Sequence, residues 1–302
     1  MKYVHDSLIG KIIFRFPYIS PTGKLFERPS LVTVVAPINY ETGMLRTGLI
    51  GVKQGETNLF LRNGKEEVGT MISIFPNYVL SAKPYYGNRD GILSERKEFL
   101  QTVASVDVDQ VDELSLPYQK YFYAAGVAPK KFIREFVVTE ENILPVGYQL
   151  DASHLFAGQY VDVTAKTIDR GFQGVIRRWG YKGQGHCAGR TKTHRRPGSI
   201  GTQGLRKVMK GKNLPGWMGN KLRTHLAYKV MYANYERGYI IVNGTTPGPV
   251  GGEVFLEDCK VKSSLQAEYL HYPTFLLEGK LLKEHYDGVI VSPNEPTAGL
   301  LK

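Results

Sequence analysis

Residues 166–223 have the sequence KTIDRGFQGVIRRWGYKGQGHCAGRTKTHRRPGSIGTQGLRKVMKGKNLPGWMGNKLR, and this stretch sets the architecture of the chain. It contains 15 Lys and Arg, 12 Gly and one acid, Asp169. Fifteen like charges would repel one another in a separate globule, and glycines offer little apolar surface to offset that repulsion. We therefore predict an irregular arm that projects from a scaffold built by the flanking sequence and becomes ordered only when phosphates neutralise it.

The excess positive charge of the chain is confined to this arm. The formal net charge is +11, yet of 39 Lys and Arg 24 lie outside residues 166–223, where they face 27 of the 28 Asp and Glu. A basic run is often only a solvated face, but this one lies mid-chain and mixes Pro and Trp with its charges. The distribution therefore indicates a nucleic-acid partner.

Four aromatic side chains are interleaved with the cations of the arm: Phe172, Trp179, Tyr181 and Trp217. Flat rings of this kind stack on exposed bases or wedge between nucleic-acid helices. For either Trp, packing against the protein itself is the alternative that the sequence leaves open.

Strand patterns lie on both sides of the arm. Residues 47–52 predict a short strand that enters a Gly-rich turn, and residues 57–61 and 68–75 flank Asn63-Gly64 as a hairpin does. After the arm, residues 226–233 and 239–242 predict a second strand pair. The 33 Gly and 16 Pro also disfavour helices. We therefore predict a mainly β protein, a barrel or curled sheet that carries the arm.

Three further segments are additions to this scaffold: residues 1–46, about 84–125, and 259–302. The middle one is predicted to hold an amphipathic helix over residues 95–105, with Ser94 as its N-cap. The apolar residues at helical spacing are Phe99, Leu100, Val103 and Val106. The acidic residues 107–113 disfavour RNA, so this insert is expected to face solvent or a neighbouring protein.

Motifs for catalysis, cofactors and metals are missing. The nearest P-loop candidate, residues 204–213, has six residues where four are required, and Gly183, Gly185 and Gly189 miss GxGxxG by one position. Cys187 and His194 lack the four ligands of a structural zinc site and a carboxylate that would orient them for nucleophilic catalysis. We predict no enzyme, cofactor or metal site. An RNA-modifying enzyme and a general nucleic-acid-binding chaperone remain the alternatives.

Cysteine number and apolar run length indicate the compartment. Two cysteines without CxxC spacing suit a reducing interior. The longest apolar run, residues 31–38, is too short to span a bilayer, so no membrane partner is expected.

Six motifs, in register, resemble the L-three (uL-three) family of large-subunit ribosomal proteins. They are Val161-Asp-Val-Thr164, Gly171-Phe-Gln-Gly174, Arg178-Trp-Gly180, the run HRRPGSIG at 194–201, Lys210-Gly-Lys212 and the run GWMGN at 216–220. Residues 47–57 and 242–251 are similar to the opening and closing strands of that family. The resemblance covers about 47–83 and 126–258.

The resemblance implies a six-stranded β barrel of the translation-protein type, with a long basic irregular extension that reaches toward the peptidyl-transferase centre. It also implies binding near the 3′ end of large-subunit rRNA and support of subunit assembly, without a catalytic residue. The expected organisation is an N-terminal extension (1–46), the first part of the barrel with its partly helical insert (47–165), the arm (166–223), barrel completion (224–258) and a C-terminal extension (259–302).

The residues expected to bind rRNA are the cations, the aromatic residues and one histidine of the arm. They are Lys166, Arg170, Phe172, Arg177, Arg178, Trp179, Tyr181, Lys182, Arg190, Lys192, His194, Arg195, Arg196, Arg206, Lys207, Lys210, Lys212, Trp217, Lys221 and Arg223. We expect Arg195 and Arg196 to bind phosphates where the arm bends at Pro197-Gly198. The three lysines between 207 and 212 are expected to neutralise further phosphates near the turn of the arm.

The runs at 125–129, 158–167 and 191–196 resemble mitochondrial rather than bacterial members, so a mitochondrial matrix location is expected, with the bacterial cytoplasm as the alternative. The expected partners are large-subunit rRNA and neighbouring large-subunit proteins, met through the insert and the terminal extensions. Gln203 aligns with a glutamine that is methylated in some bacteria. Because Gly204-Leu205-Arg206 replaces the usual turn there, methylation of Gln203 is not expected.

Overall fold

The computed structural model describes residues 44–60, 65–85, 98–109, 111, 114–185, 193–202, 204, 206–235 and 237–261. Strands dominate these residues, which confirms the mainly β class. The strands are β1 (Leu49–Phe60), β2 (Glu66–Ser73), β3 (Asn77–Pro84), β4 (Glu98–Asp107), β5 (Lys130–Thr139), β6 (Gln149–Leu150), β7 (Tyr160–Lys166), β8 (Phe172–Gln173), β9 (Gly216–Trp217), β10 (Leu222–Asn234), β11 (Tyr239–Asn243) and β12 (Glu253–Asp258). The helices are α1 (Leu116–Ala124) and α2 (Val175–Trp179), with 3-10 turns at Glu140–Asn142 and Ala152–His154.

Six strands close into a ring in the order β1-β12-β7-β10-β11-β2. Every neighbouring pair in the ring is antiparallel. Aliphatic side chains such as Val163, Ile240 and Leu256 are buried in one cluster that fills this ring. Because the strands of a closed ring pair on both edges, the barrel is a rigid scaffold for the arm that extends from it.

The first strand runs past the turn predicted for it. Residues 49–60 form one strand, with a register shift between Lys53 and Gly55, so the predicted Gly-rich turn is a β-bulge. Pairing of Val52–Phe60 with Ser73–Glu66 confirms the first hairpin, whose Asn63-Gly64 turn lies outside the described residues. Pairing of β10 with β11 confirms the second.

The helix predicted for residues 95–105 is wrong where the structure describes it, because residues 98–107 form β4; the predicted N-cap Ser94 and residues 95–97 lie outside the described residues. This strand lies between β3 and β5 in a second sheet of order β5-β4-β3-β6. Residues 101–105 of β4 are buried without interruption, since both faces of the strand are covered. A central strand that is buried on both faces carries apolar residues in succession, and some of these also fall at the spacing of one helix face. Here the segment forms a strand because it pairs with β3 on one edge and with β5 on the other.

The helix of this region begins later, at Leu116, with a proline in its first turn. Its Phe122 packs with Leu80 and Ala104 against the second sheet. On the opposite face of that sheet, Phe136 and Val103 join the core cluster of the barrel, so the two sheets share one core. No helix in the described part of the chain is long and apolar enough to cross a bilayer.

Candidate nucleic-acid interface

The arm leaves and re-enters the barrel through two neighbouring strands. It begins where β7 ends at Lys166 and finishes where β10 begins at Leu222, and these two residues are direct partners in the sheet. Beyond them the backbone ladder continues: Thr167 N–H donates to Lys221 O at 2.9 Å, and Met218 N–H donates to Gly171 O at 2.9 Å. The ladder ends in the two-residue pairing of β8 with β9.

The prediction of an irregular arm is therefore wrong for its base, which is a two-stranded ribbon. The ribbon depends on close backbone approach at Gly219, whose φ is +87°. A Cβ atom there would lie 1.9 Å from the carbonyl oxygen of Ile168. The two legs can pair at this point only because the residue has no side chain.

Further along the arm, three side chains of its first half donate hydrogen bonds to backbone carbonyls of its second half, which returns to the barrel. Arg178 Nη1 and Trp179 Nε1 each donate a hydrogen bond of 2.9 Å to the carbonyl of Leu214. Tyr181 Oη donates to Asn213 O at 3.2 Å. These three residues lie on or just after the short helix α2, so this helix positions the arm.

The remaining Lys and Arg of the described arm are exposed. They are Lys166, Arg170, Arg177, Lys182, Arg195, Arg196, Arg206, Lys207, Lys210, Lys212, Lys221 and Arg223. In the part of the chain that the structure describes, none of them forms an ion pair with a carboxylate. The one acid of the arm, Asp169, accepts a hydrogen bond from Gly171 N–H at 2.9 Å. The arm therefore presents an uncompensated positive field.

The distal cations fall into two separate turns. Arg195 and Arg196 lie in a turn closed by the hydrogen bond from Arg196 N–H to Thr193 O, 3.3 Å. A second turn is closed by Lys212 N–H and Met209 O, also 3.3 Å, and carries the last two of the three predicted lysines. His194 is half-buried, and its carbonyl accepts a hydrogen bond from Gln184 N–H at 3.0 Å. Two of the predicted rRNA-binding residues, Arg190 and Lys192, lie outside the described residues, and so does Gln203, the doubtful methylation position.

The aromatic residues differ in how they are held. Phe172 and Trp217 are direct partners in the β8–β9 pair, with ring centroids 6.5 Å apart and ring planes at 85°. Both are mostly exposed, at 64% and 68%. Trp179 is 44% exposed, and the Arg178 guanidinium lies 5.0 Å from its ring centroid. Tyr181 is half-buried.

Several exposed apolar residues at the arm were not predicted. Ile168, Leu222 and Leu226 lie at its base, and Val208 and Met209 lie near the second turn. The first five residues of the barrel strand β10 are all exposed, so neither face of the strand is covered there by other described residues. The sequence over residues 222–226, LRTHL, alternates as an ordinary half-buried strand does, so it gave no signal of this exposure, and the predicted interface ended at the last cation, Arg223.

A ring pair next to this surface was also missed. The rings of His225 and Tyr228 stack with centroids 5.8 Å apart, and His225 Nδ1 lies 2.9 Å from Tyr228 Oη. Within the described ranges no group of three or more His, Cys, Asp or Glu side chains is arranged to hold a metal ion.

Comparisons with known proteins identify the family of this chain. The model of the family "Ribosomal protein L3" matches residues 134–252, which include the whole arm. The chain is 31% identical over 224 residues to large ribosomal subunit protein uL3 of Rickettsia bellii, covering 74% of this chain and 100% of that protein. It is 33% identical over 223 residues to uL3 of Magnetococcus marinus, with the same coverage. The chain belongs to the uL3 family of large ribosomal subunit proteins.

Proposed function

We propose that this chain is a structural constituent of a large ribosomal subunit and binds large-subunit rRNA through residues 166–223. The observation that carries the proposal is an anchored arm whose exposed cations have no carboxylate partner among the described residues. Phosphates are the matching partner, because binding releases the counterions condensed on RNA. Most contacts go to the RNA backbone and fix register and orientation.

Membership of the uL3 family also confirms that the chain is not an enzyme, because these proteins are structural. The RNA-modifying alternative is thereby abandoned. A general nucleic-acid-binding chaperone remains the competing function. It predicts equal affinity for rRNA and for DNA of the same length, so a competition assay between the two separates it from the present proposal.

The finer features of the proposal rest on the family resemblance. The barrel is of the translation-protein type, which the closed ring of six strands supports. The arm extends toward the peptidyl-transferase centre, binding takes place near the 3′ end of the rRNA, and the protein promotes subunit assembly. The ordered base of the arm supports this role, because a ribbon continuous with two barrel strands gives the arm a defined direction.

Neighbouring large-subunit proteins complete the set of proposed partners, with the insert and the terminal extensions as contacts. The proposed location is the mitochondrial matrix, because the sequence runs at 125–129, 158–167 and 191–196 resemble mitochondrial members of the family. The relatives described above are bacterial. Fractionation of cells that express the tagged chain, followed by sedimentation of each fraction, decides between a matrix particle and a bacterial cytoplasmic one.

The test of rRNA binding compares two triple variants of the full chain. One replaces Lys207, Lys210 and Lys212 with alanine. The matched control replaces three cations outside the arm, which are Lys120, Lys131 and Arg237. Sedimentation should show the arm variant largely free of large subunits, whereas the control should co-sediment as the natural chain does. Equal co-sedimentation of both variants would contradict the proposed role of the arm.

A further inference from the structure

The two tryptophans of the chain occupy different kinds of position in the arm. The indole N–H of Trp179 donates to the carbonyl of Leu214 at 2.9 Å, and the Arg178 guanidinium lies over its ring at 5.0 Å. The polar atom of Trp179 is therefore bonded within the chain, although the side chain is 44% exposed. Among the described residues the indole N–H of Trp217 makes no hydrogen bond, and the Trp217 side chain is 68% exposed.

Trp217 and Phe172 form an exposed aromatic pair. As direct cross-strand partners they lie on the same face of the two-residue ladder, and their rings meet edge to face at 6.5 Å. In this arrangement one ring offers its edge to the other, which leaves broad ring surface open to solvent. Exposing so much aromatic surface is unfavourable in water, and such surfaces mark binding sites.

The charge around the pair favours a nucleic acid over a protein as its partner. Arg170 lies two residues before Phe172. Its backbone N–H donates a hydrogen bond of 3.0 Å to the carbonyl of Met218, the residue after Trp217. Lys166 and Lys221 follow on the two legs of the ribbon, both exposed and without a carboxylate partner in the described structure. An aromatic surface beside a line of free cations matches a nucleotide, which presents a flat base beside a phosphate.

We propose that Phe172 and Trp217 form a stacking site for an unpaired RNA base, while Trp179 is an internal anchor of the arm. The proposal deepens the rRNA-binding function above and rests on it. The base must be unpaired, because bases inside a duplex are stacked on their neighbours and cannot offer a face to a side chain. Stacking is tolerant of base identity, so the site selects single-stranded or bulged RNA rather than a sequence.

Two single-tryptophan chains test the proposal directly. Trp179→Phe leaves Trp217 as the reporter, and Trp217→Phe leaves Trp179. Each full-length chain is titrated with a fluorescently labelled oligoadenylate and, separately, with an RNA duplex of the same length. Anisotropy of the label measures binding, and selectively excited tryptophan emission measures stacking on the reporter ring.

The expected result is that oligoadenylate quenches Trp217 strongly, that the duplex quenches it little, and that Trp179 responds weakly to both. Binding of both RNAs without selective quenching of Trp217 would overturn the stacking site and leave the rRNA-binding function intact. Binding of the duplex alone would likewise overturn only the stacking site, whereas failure of both RNAs to bind would overturn the proposed function itself. Quenching of Trp179 in place of Trp217 would reverse the assignment of the two rings and also contradict the proposal.

A second set of variants separates stacking from support of the ribbon. Trp217→Ala should weaken oligoadenylate binding by about 5- to 150-fold, the range for loss of one stacked base. Trp217→Phe, which keeps a ring, should retain most of the affinity. Duplex affinity serves as the structural readout. An equal loss of duplex and single-strand binding in Trp217→Ala would show that the residue only holds the arm together, and the stacking site would be refuted.

Discussion

Arg178 lies against Leu214, 36 residues further along the chain, with its Nη1 atom donating to the Leu214 carbonyl at 2.9 Å. The sequence marks Arg178 as one more cation for RNA. The structure uses it to join the two legs of the arm, and a Cβ atom on Gly216 would lie 2.2 Å from that same Nη1 atom. A glycine on one leg and an arginine on the other therefore form a matched contact.

Replacing Arg178 with lysine should loosen the arm without changing its charge. Lysine cannot reproduce the planar donor geometry of arginine, so the Leu214 carbonyl loses one of its two side-chain donors. We expect a cost of about 1 kcal/mol, or roughly fivefold in the local opening equilibrium. Hydrogen exchange at the amides of Thr167 and Met218 measures it. Arg177→Lys, at the exposed neighbouring position, is the control and should leave exchange unchanged; equal effects would refute the fastening role.

Binding to rRNA should depend steeply on salt. If about eight cations of the arm contact phosphates, the logarithm of affinity should fall with the logarithm of salt by about 0.9 for each contacted phosphate of a duplex. Replacing Lys207, Lys210 and Lys212 together should reduce the slope by about one unit for each phosphate that the arm no longer neutralises. Filter binding or anisotropy across a salt series gives both slopes. A flat response in the natural chain would show that the arm does not act through its charge.

The barrel should lose stability as the pH falls below about 6.5, the usual pKa of histidine. Burial and the nearby Arg46 guanidinium lower the pKa of His154 to about 3. Between these two pH values the unfolded chain takes up a proton that the folded chain excludes, so unfolding becomes easier by up to about 1.4 kcal/mol per pH unit. Urea unfolding at a series of pH values measures this loss.

The control for this pH dependence is His154→Gln. That chain should be less stable at neutral pH, because the hydrogen bond between His154 Nε2 and Thr47 O, 2.7 Å, is altered. Its stability should nevertheless vary less with pH between about 6.5 and 4 than that of the natural chain. The same slope in both chains would assign the acid sensitivity to other groups.

A buried ion pair should make Arg46 costly to replace alone. Its guanidinium donates to both carboxylate oxygens of Asp258, at 2.6 and 2.8 Å. Burial alone would raise the pKa of Asp258, but Arg46 outweighs that effect and the net shift is downward. Arg46→Met leaves a buried carboxylate without its partner and should cost about 3–5 kcal/mol.

The double variant Arg46→Met with Asp258→Leu gives the comparison for that cost. It removes both charges together, so a large part of the lost stability should return. Thermal or urea unfolding of the natural chain, Arg46→Met and the double variant measures the difference. If the double variant is as unstable as the single one, the cost arises from packing and not from the unpaired charge.

The sequence predicted those features that depend on composition or on local patterns. The arm followed from 15 cations and one acid within residues 166–223, and the two hairpins followed from turn residues between apolar runs. Both signals are local, because repulsion among neighbours and turn chemistry act over a few residues. The strand β4 was mistaken for a helix since its partners β3 and β5, and not its own spacing, determine its conformation.

The roles of single residues depend on partners that sequence order hides. Trp179 and Trp217 both lie among the glycines and cations of the arm, yet Trp179 donates its indole N–H to Leu214 O, while Trp217 is the more exposed of the two. Arg46 was placed in an extension, although its partner Asp258 lies 212 residues away at the end of the last barrel strand. Backbone carbonyls and distant carboxylates leave no local pattern, so only the folded structure reveals these partners.

Crosslinking of the intact chain to rRNA within purified large subunits is the sharpest test of the arm as the RNA-binding element. Ultraviolet crosslinks are mapped by mass spectrometry of the peptides attached to nucleotides. We expect crosslinked positions to concentrate between Lys166 and Arg223. Crosslinks confined to the two termini, with none in that stretch, would show that the arm is not the element that binds RNA.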